Sequence, residues 1–80
     1  MPRFLLHHQH EPQECGIAFA NFKGHRSPLR HRPALASCLD GDHGIWWTVE
    51  AGSEEDARRQ LPFFVAQRST VTRVTEVLIP

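Results

Sequence analysis

Residues 34–50, ALASCLDGDHGIWWTVE, decide how this chain is read. Two apolar runs flank Asp40-Gly41, and Asx-Gly is the pair that tolerates the positive φ values of a tight hairpin. A β-hairpin is therefore predicted, with a small-residue strand ending at Cys38-Leu39, a turn at Asp40-Gly41 and a second strand through Glu50. In that second strand His43, Ile45, Trp47, Val49 and Ala51 share one face, and Trp46, Thr48 and Glu50 share the other. Each face carries a tryptophan, which predicts burial on both sides.

On the N-terminal side, residues 3–10 (RFLLHHQH) read as a strand with Phe4, Leu6, His8 and His10 on one face and Arg3, Leu5, His7 and Gln9 on the other. Pro12 then stands at a helix-opening position. Glu11 and Glu14 favour the helix dipole, and Ile17, Ala18, Phe19 and Phe22 offer an apolar stripe before Gly24. Residues 25–33 (HRSPLRHRP) hold two prolines, three arginines, two histidines and no acid. They form a basic loop, extended because each proline disfavours helix in the residue before it.

On the C-terminal side, Ser53 can cap a helix whose first turn carries Glu54, Glu55 and Asp56. Pro62 should kink or restart that helix, with Phe63, Phe64 and Val65 on the continuation. Residues 71–79 (VTRVTEVLI) alternate and are β-branched, as a last strand should be.

The order strand, helix, strand, strand, helix, strand predicts one α+β domain over residues 1–80. The expected form is ferredoxin-like, a βαββαβ sandwich with two helices on one face of a four-stranded antiparallel sheet. The other face, with Trp46 among Leu, Val and Ala side chains, would leave an apolar patch on a monomer. A homodimer pairing two sheets face to face, as in dimeric α+β barrels, would bury that patch and enclose a cavity.

Composition narrows the classes. A chain of 80 residues, 40% hydrophobic, makes a single small domain, and such domains are commonly helped by metals, disulfides or self-association. Nine basic and nine acidic residues cancel, which argues against the basic footprint of a nucleic-acid binder. No apolar run approaches the roughly 20 residues of a membrane span. Cys15 and Cys38 show no CxxC spacing and follow no signal peptide, so a reduced, cytoplasmic protein is expected.

Residues 34–77 resemble the second half of the muconolactone isomerase type of dimeric α+β barrel. The shared outline is Cys38-Leu39 ending a strand, the Gly41-Asp42-His43 turn, the strand from Ile45 to Glu50, Ser53-Glu54-Glu55 opening a helix, and Leu61-Pro62-Phe63-Phe64 before the final strand. A second likeness is to short ferredoxin-like proteins sometimes labelled nickel-binding, through Thr72-Arg73-Val74-Thr75-Glu76-Val77. The resemblance implies the fold, a dimer and isomerase-like or cofactor-independent chemistry. It carries over no active site, since the first half is shorter than in the isomerases and their catalytic residues have no matching positions.

Three constellations offer chemistry. On a strand, His8 and His10 point the same way about 7 Å apart, and His43 or Cys38 could complete a set suited to a divalent transition metal such as nickel or zinc. The plain alternative is a solvated strand end. Trp46, Thr48, Cys38 and Arg30 are the candidate ligand-binding residues, with Trp46 lining an inter-sheet cavity for a small, partly apolar molecule. Packing alone would also account for the tryptophans. For catalysis, His8 or His43 could act as general base and Glu50 as acid or base; an ion pair of Glu50 with Arg73 is the simpler role. In the basic loop, Arg26, Arg30, His31 and Arg32 suit a phosphate or carboxylate clamp. A structural or interaction domain without ligand would show neither pocket nor metal.

Overall fold

Phe4, Leu6 and His8 project from one side of the first strand and are all buried, and the molecule assembles on that alternation. The strand, β1 (Arg3–Gln9), lies inside the sheet of a computed structural model that describes residues 1–80. It pairs antiparallel with β3 (Gly44–Glu50) on one side and with β4 (Ser69–Val74) on the other. A two-residue β2 (Leu35–Ala36) pairs with β3 at the edge, giving the order β2-β3-β1-β4. With three short helices, α1 (Cys15–Ala20), α2 (Glu54–Arg58) and α3 (Phe63–Gln67), this is an α+β domain on an open four-stranded antiparallel sheet.

The register sets Phe4 opposite Val49, Leu6 opposite Trp47 and His8 opposite Ile45, so their side chains share the face on which helices pack. Phe4, Leu6, Val49, Ala51, Ala57, Leu61 and Val65 form the buried cluster between sheet and helices, with Phe22, Leu29 and Trp47 against it. Each fully buried Leu, Val or Phe contributes roughly 1.5–3 kcal/mol. The seam between β1, β3, α2 and α3 is therefore the main apolar source of stability.

Local chemistry explains the helices. The Ser53 side chain accepts the Asp56 N–H at 3.1 Å and caps α2. Pro62 cannot continue that helix and restarts it as α3, with extended backbone at its own position. Arg58 joins the two halves by donating to the carbonyls of Ala66 (2.9 Å) and Ser69 (3.0 Å). At the other end, Pro12–Glu14 is a 3₁₀ turn, with the Glu11 N–H on the Glu14 carboxylate, and leads into α1. Of the expected apolar stripe only Ala18 is buried, while Ile17 and Phe19 are about half exposed, at 53% and 49%. Six residues give α1 too little length to lay a whole stripe on the sheet.

Two expectations are corrected. The strand predicted to run to Leu39 stops at Ala36, and the chain turns through residues 37–43 with a 3₁₀ turn at Cys38–Asp40. Gly41 does take the positive φ (91°) that marked it, but inside this longer loop rather than in a two-residue turn. The cause is Ser37: its hydroxyl accepts the Gly44 N–H at 3.0 Å and donates to Asp42, and its carbonyl accepts the N–H groups of Asp40 and Asp42. These bonds replace the ladder a tight hairpin would have made. The last strand, predicted over 71–79, runs Ser69–Val74 instead. Val74 already faces Arg3, the first residue of β1, so nothing remains for residues 75–80 to pair with, and Val77, Leu78 and Ile79 are exposed.

The second face of the sheet carries no helix. There Trp46 stacks flat on His7, with centroids 4.8 Å apart and planes 5° from parallel. The indole also covers Gly44, where a Cβ would come within 2.7 Å of the ring. No helix in the structure is long and apolar enough to cross a membrane.

Candidate metal centre

At the end of the sheet where β1 finishes, four side chains that can ligate a metal meet: His10, Cys15, Cys38 and His43. One donor atom from each lies within 4.8 Å of all the others. They come from separate pieces of local structure. His10 follows β1, Cys15 opens α1, Cys38 begins the 3₁₀ turn after Ser37, and His43 precedes β3. The His10 N–H donates to the His43 carbonyl at 3.1 Å, which ties two of these pieces directly. The Gln9 side chain adds a bond to Asp42 at 3.2 Å, and Ser37 orders the loop between Cys38 and His43.

His10 is buried and the other three are half-buried. Tetrahedral zinc with two sulfur and two nitrogen ligands, at about 2.0–2.3 Å, holds its donors roughly 3.3–3.8 Å apart. The cluster is thus about 1 Å wider than a loaded site, a difference that rotamer adjustment can close. Nδ1 of His43 is buried with no hydrogen-bond partner, which costs about 1–3 kcal/mol unless something fills the need. The Cys38 thiol lies 3.6 Å from Nε2 of His10, so both donors already face each other.

Behind His10 stands His8. Nδ1 of His8 is 3.1 Å from the Val65 carbonyl, and Nε2 of His8 is 2.9 Å from Nδ1 of His10. A carbonyl can only accept, so Nδ1 of neutral His8 carries the proton and Nε2 carries the lone pair. Nδ1–H of His10 must then donate to that lone pair, leaving Nε2 of His10 unprotonated toward Cys38. Ligating histidines characteristically donate their other N–H to a fixed acceptor, which sets tautomer and ring orientation. Here the acceptor is a second imidazole, itself anchored on α3. Ser69 completes the anchor by donating to the same Val65 carbonyl at 2.6 Å.

The electrostatics agree with this. Burial pushes His8 below the ordinary histidine range, and His10 is lowered by burial and by the neighbouring His43. Both are then neutral at pH 7 and able to offer lone pairs. Burial, followed by the Cys15 thiol beside it, pushes the Cys38 thiol up. The metal-free cluster is uncharged at Cys38, and a cation would have to displace its proton. Glu14, next to Cys15, is held below the usual carboxylate range by the Glu11 amide and by Arg68, whose guanidinium is 3.3 Å away. That ion pair ties the start of α1 to the end of α3.

The residues singled out from the sequence separate into distinct places. His10, His43 and Cys38 come together as expected of a metal set. His8 does not join them as a ligand but holds His10 from behind. Cys15 was missed; its signal was the mirrored spacing His10-x4-Cys15 and Cys38-x4-His43. The ligand-binding candidates do not line one cavity: Trp46 and Thr48 border a groove with Leu5 and Leu35, whereas Arg30 borders another with Phe22 and Trp47. Nor do the catalytic candidates converge. Glu50 is exposed opposite Arg3, five residues along β3 from the partner of His8, or about 17 Å at strand spacing. It shares a surface groove with Arg73 but makes no ion pair with it.

Comparisons with protein families, with characterised proteins and with solved structures find no match for this chain.

Proposed function

We propose that this protein is a metal-binding module for a zinc-class divalent ion, held by His10, Cys15, Cys38 and His43. The observation that carries the reading is the meeting of these four donors within 4.8 Å, drawn from four separate segments. Two thiolates and two imidazoles suit zinc, and nickel or cobalt less well, because soft sulfur donors and a tetrahedral set favour ions without a geometric demand of their own. Four protein ligands leave no position for a substrate, so the ion's role is to hold the chain or to be sequestered rather than to activate water. Titration of chelator-treated protein with Zn²⁺ by calorimetry tests this. One equivalent should bind tightly, and Co²⁺ in its place should give the intense visible bands of a tetrahedral thiolate site. Affinity no better than about 10 μM for either ion would overturn the reading.

A second reading is supported by the helix-free face of the sheet, where Trp46 stacks on His7 beside Leu5 and the exposed Leu35. It takes the strand order as ferredoxin-like and pairs two such faces in a homodimer of the muconolactone isomerase type, with a small molecule between the sheets. Sedimentation at micromolar concentration discriminates, because this reading requires a dimer and the metal site does not.

A further inference from the structure

The basic loop of residues 25–33 takes no part in the metal centre, yet it borders an open cavity of about 390 Å³ that also touches the end of α1 and β3. Sites for small organic molecules run from about 300 to 1,000 Å³ and pair apolar walls with a few polar groups that set orientation. The walls here are Phe22, Leu29, Ile45 and Trp47. Phe22 and Trp47 pack ring to ring at 5.9 Å. The rim is cationic, formed by Lys23, Arg30 and Arg32, and no acidic residue lines the cavity.

Those cations lack partners. The ion pairs of the protein involve only Arg59 and Arg68, and Arg30 is half-buried beside the apolar wall. The chain as a whole is neutral, so this concentration of positive charge is local. It is also held in place: Ser27 accepts the Leu29 N–H on its hydroxyl at 3.1 Å. His31, between Arg30 and Arg32, takes a left-handed backbone with φ 64°, the one such non-glycine residue in the chain. That conformation costs a non-glycine residue of order 1 kcal/mol, and such strain collects at binding sites.

We propose that this cavity is a binding site for an amphipathic anion, one carboxylate-type head on an apolar body. The body would lie against Phe22 and Trp47, and the head would meet the guanidinium groups of Arg30 and Arg32, whose fork geometry matches a carboxylate. The site lies on the helix-bearing face, and it requires neither the metal nor a dimer.

The test is calorimetric titration of the 80-residue chain with four probes: octanoate, octan-1-ol, octylammonium and inorganic phosphate. Octanoate should saturate at one equivalent, with the alcohol and phosphate each at least about tenfold weaker and the ammonium ion weaker still. The double variant Arg30→Gln/Arg32→Gln should lose about tenfold or more for octanoate and keep its weak affinity for octan-1-ol. In Trp46→Phe, where Trp47 is the remaining indole, octanoate should change the fluorescence with the same midpoint. Equal binding of octanoate and octan-1-ol would reduce the cavity to a greasy surface, and equal binding of octanoate and phosphate would reduce the rim to a basic patch. Either result, or an unsaturable octanoate titration, overturns the proposal, and Zn²⁺ titration of the same samples judges the metal site separately.

Discussion

Nε2 of His8 lies 2.9 Å from Nδ1 of His10, and the Val65 carbonyl on its far side decides which of them carries the proton between them. Replacing His8 with phenylalanine keeps a ring of similar bulk and removes the acceptor. All four ligands remain, yet His10 loses the partner that orients it. Zinc affinity should fall about 10- to 100-fold, measured by competition with a chromophoric chelator. The buried Nδ1–H of His10, left without an acceptor, should also cost about 1–3 kcal/mol in urea unfolding. Unchanged affinity in a folded variant would show that His8 has no part in positioning the site.

Acid should destabilise the metal-free chain at a pH above the carboxylate range. His8 and His10 are lowered in the folded protein from 6.5, so the unfolded chain binds more protons between that value and the folded ones. Stability therefore rises with pH across this window. It is complete above about 6.5 and lost progressively as pH falls toward the folded values. The urea midpoint of chelator-treated protein should be lower at pH 5.5 than at pH 7.5, and His8→Phe should flatten the difference. A midpoint that rises on acidification would contradict the burial of these rings.

Ser37 organises the loop that carries Cys38 and His43. In Ser37→Ala the Gly44 N–H and the Asp42 carboxylate both lose a partner, which should cost about 1–2 kcal/mol and weaken zinc binding with it. Added zinc should raise the thermal midpoint of this variant less than that of the wild type, since an ion held more weakly stabilises the folded chain by less.

Gly44 is the position over which the Trp46 indole lies. A methyl group there would meet the ring at 2.7 Å, so Gly44→Ala should push Trp46 off His7 and into solvent. Its emission should shift to the red, while the metal site at the end of the sheet keeps its stoichiometry. An unshifted spectrum would mean the ring adapts in place.

What the sequence revealed was whatever depends on neighbours along the chain. The alternation of Phe4, Leu6 and His8, the Ser53 cap and the break at Pro62 were all legible, because each follows from spacing of a few residues. The end of β4 was not, since it is set by where β1 begins, and the length of β2 was not, since Ser37 competes for bonds the hairpin would have used. For the site, His10, Cys38 and His43 could be gathered from a hairpin beside a strand. Cys15 was hidden because its place depends on α1 turning back over the end of β1. The role of His8 rests on a carbonyl 57 residues away, which no local pattern announces.

Every ligand of the proposed centre lies in the first 43 residues, yet the imidazole behind His10 is anchored on α3. An ion at this centre would thus register how firmly the C-terminal third of the chain is seated. Loosening of α3 would free His8 to rotate and would weaken the nitrogen donor of His10 without breaking any metal–ligand bond, so that the spectrum of bound cobalt becomes a gauge of packing at the opposite end of the polypeptide.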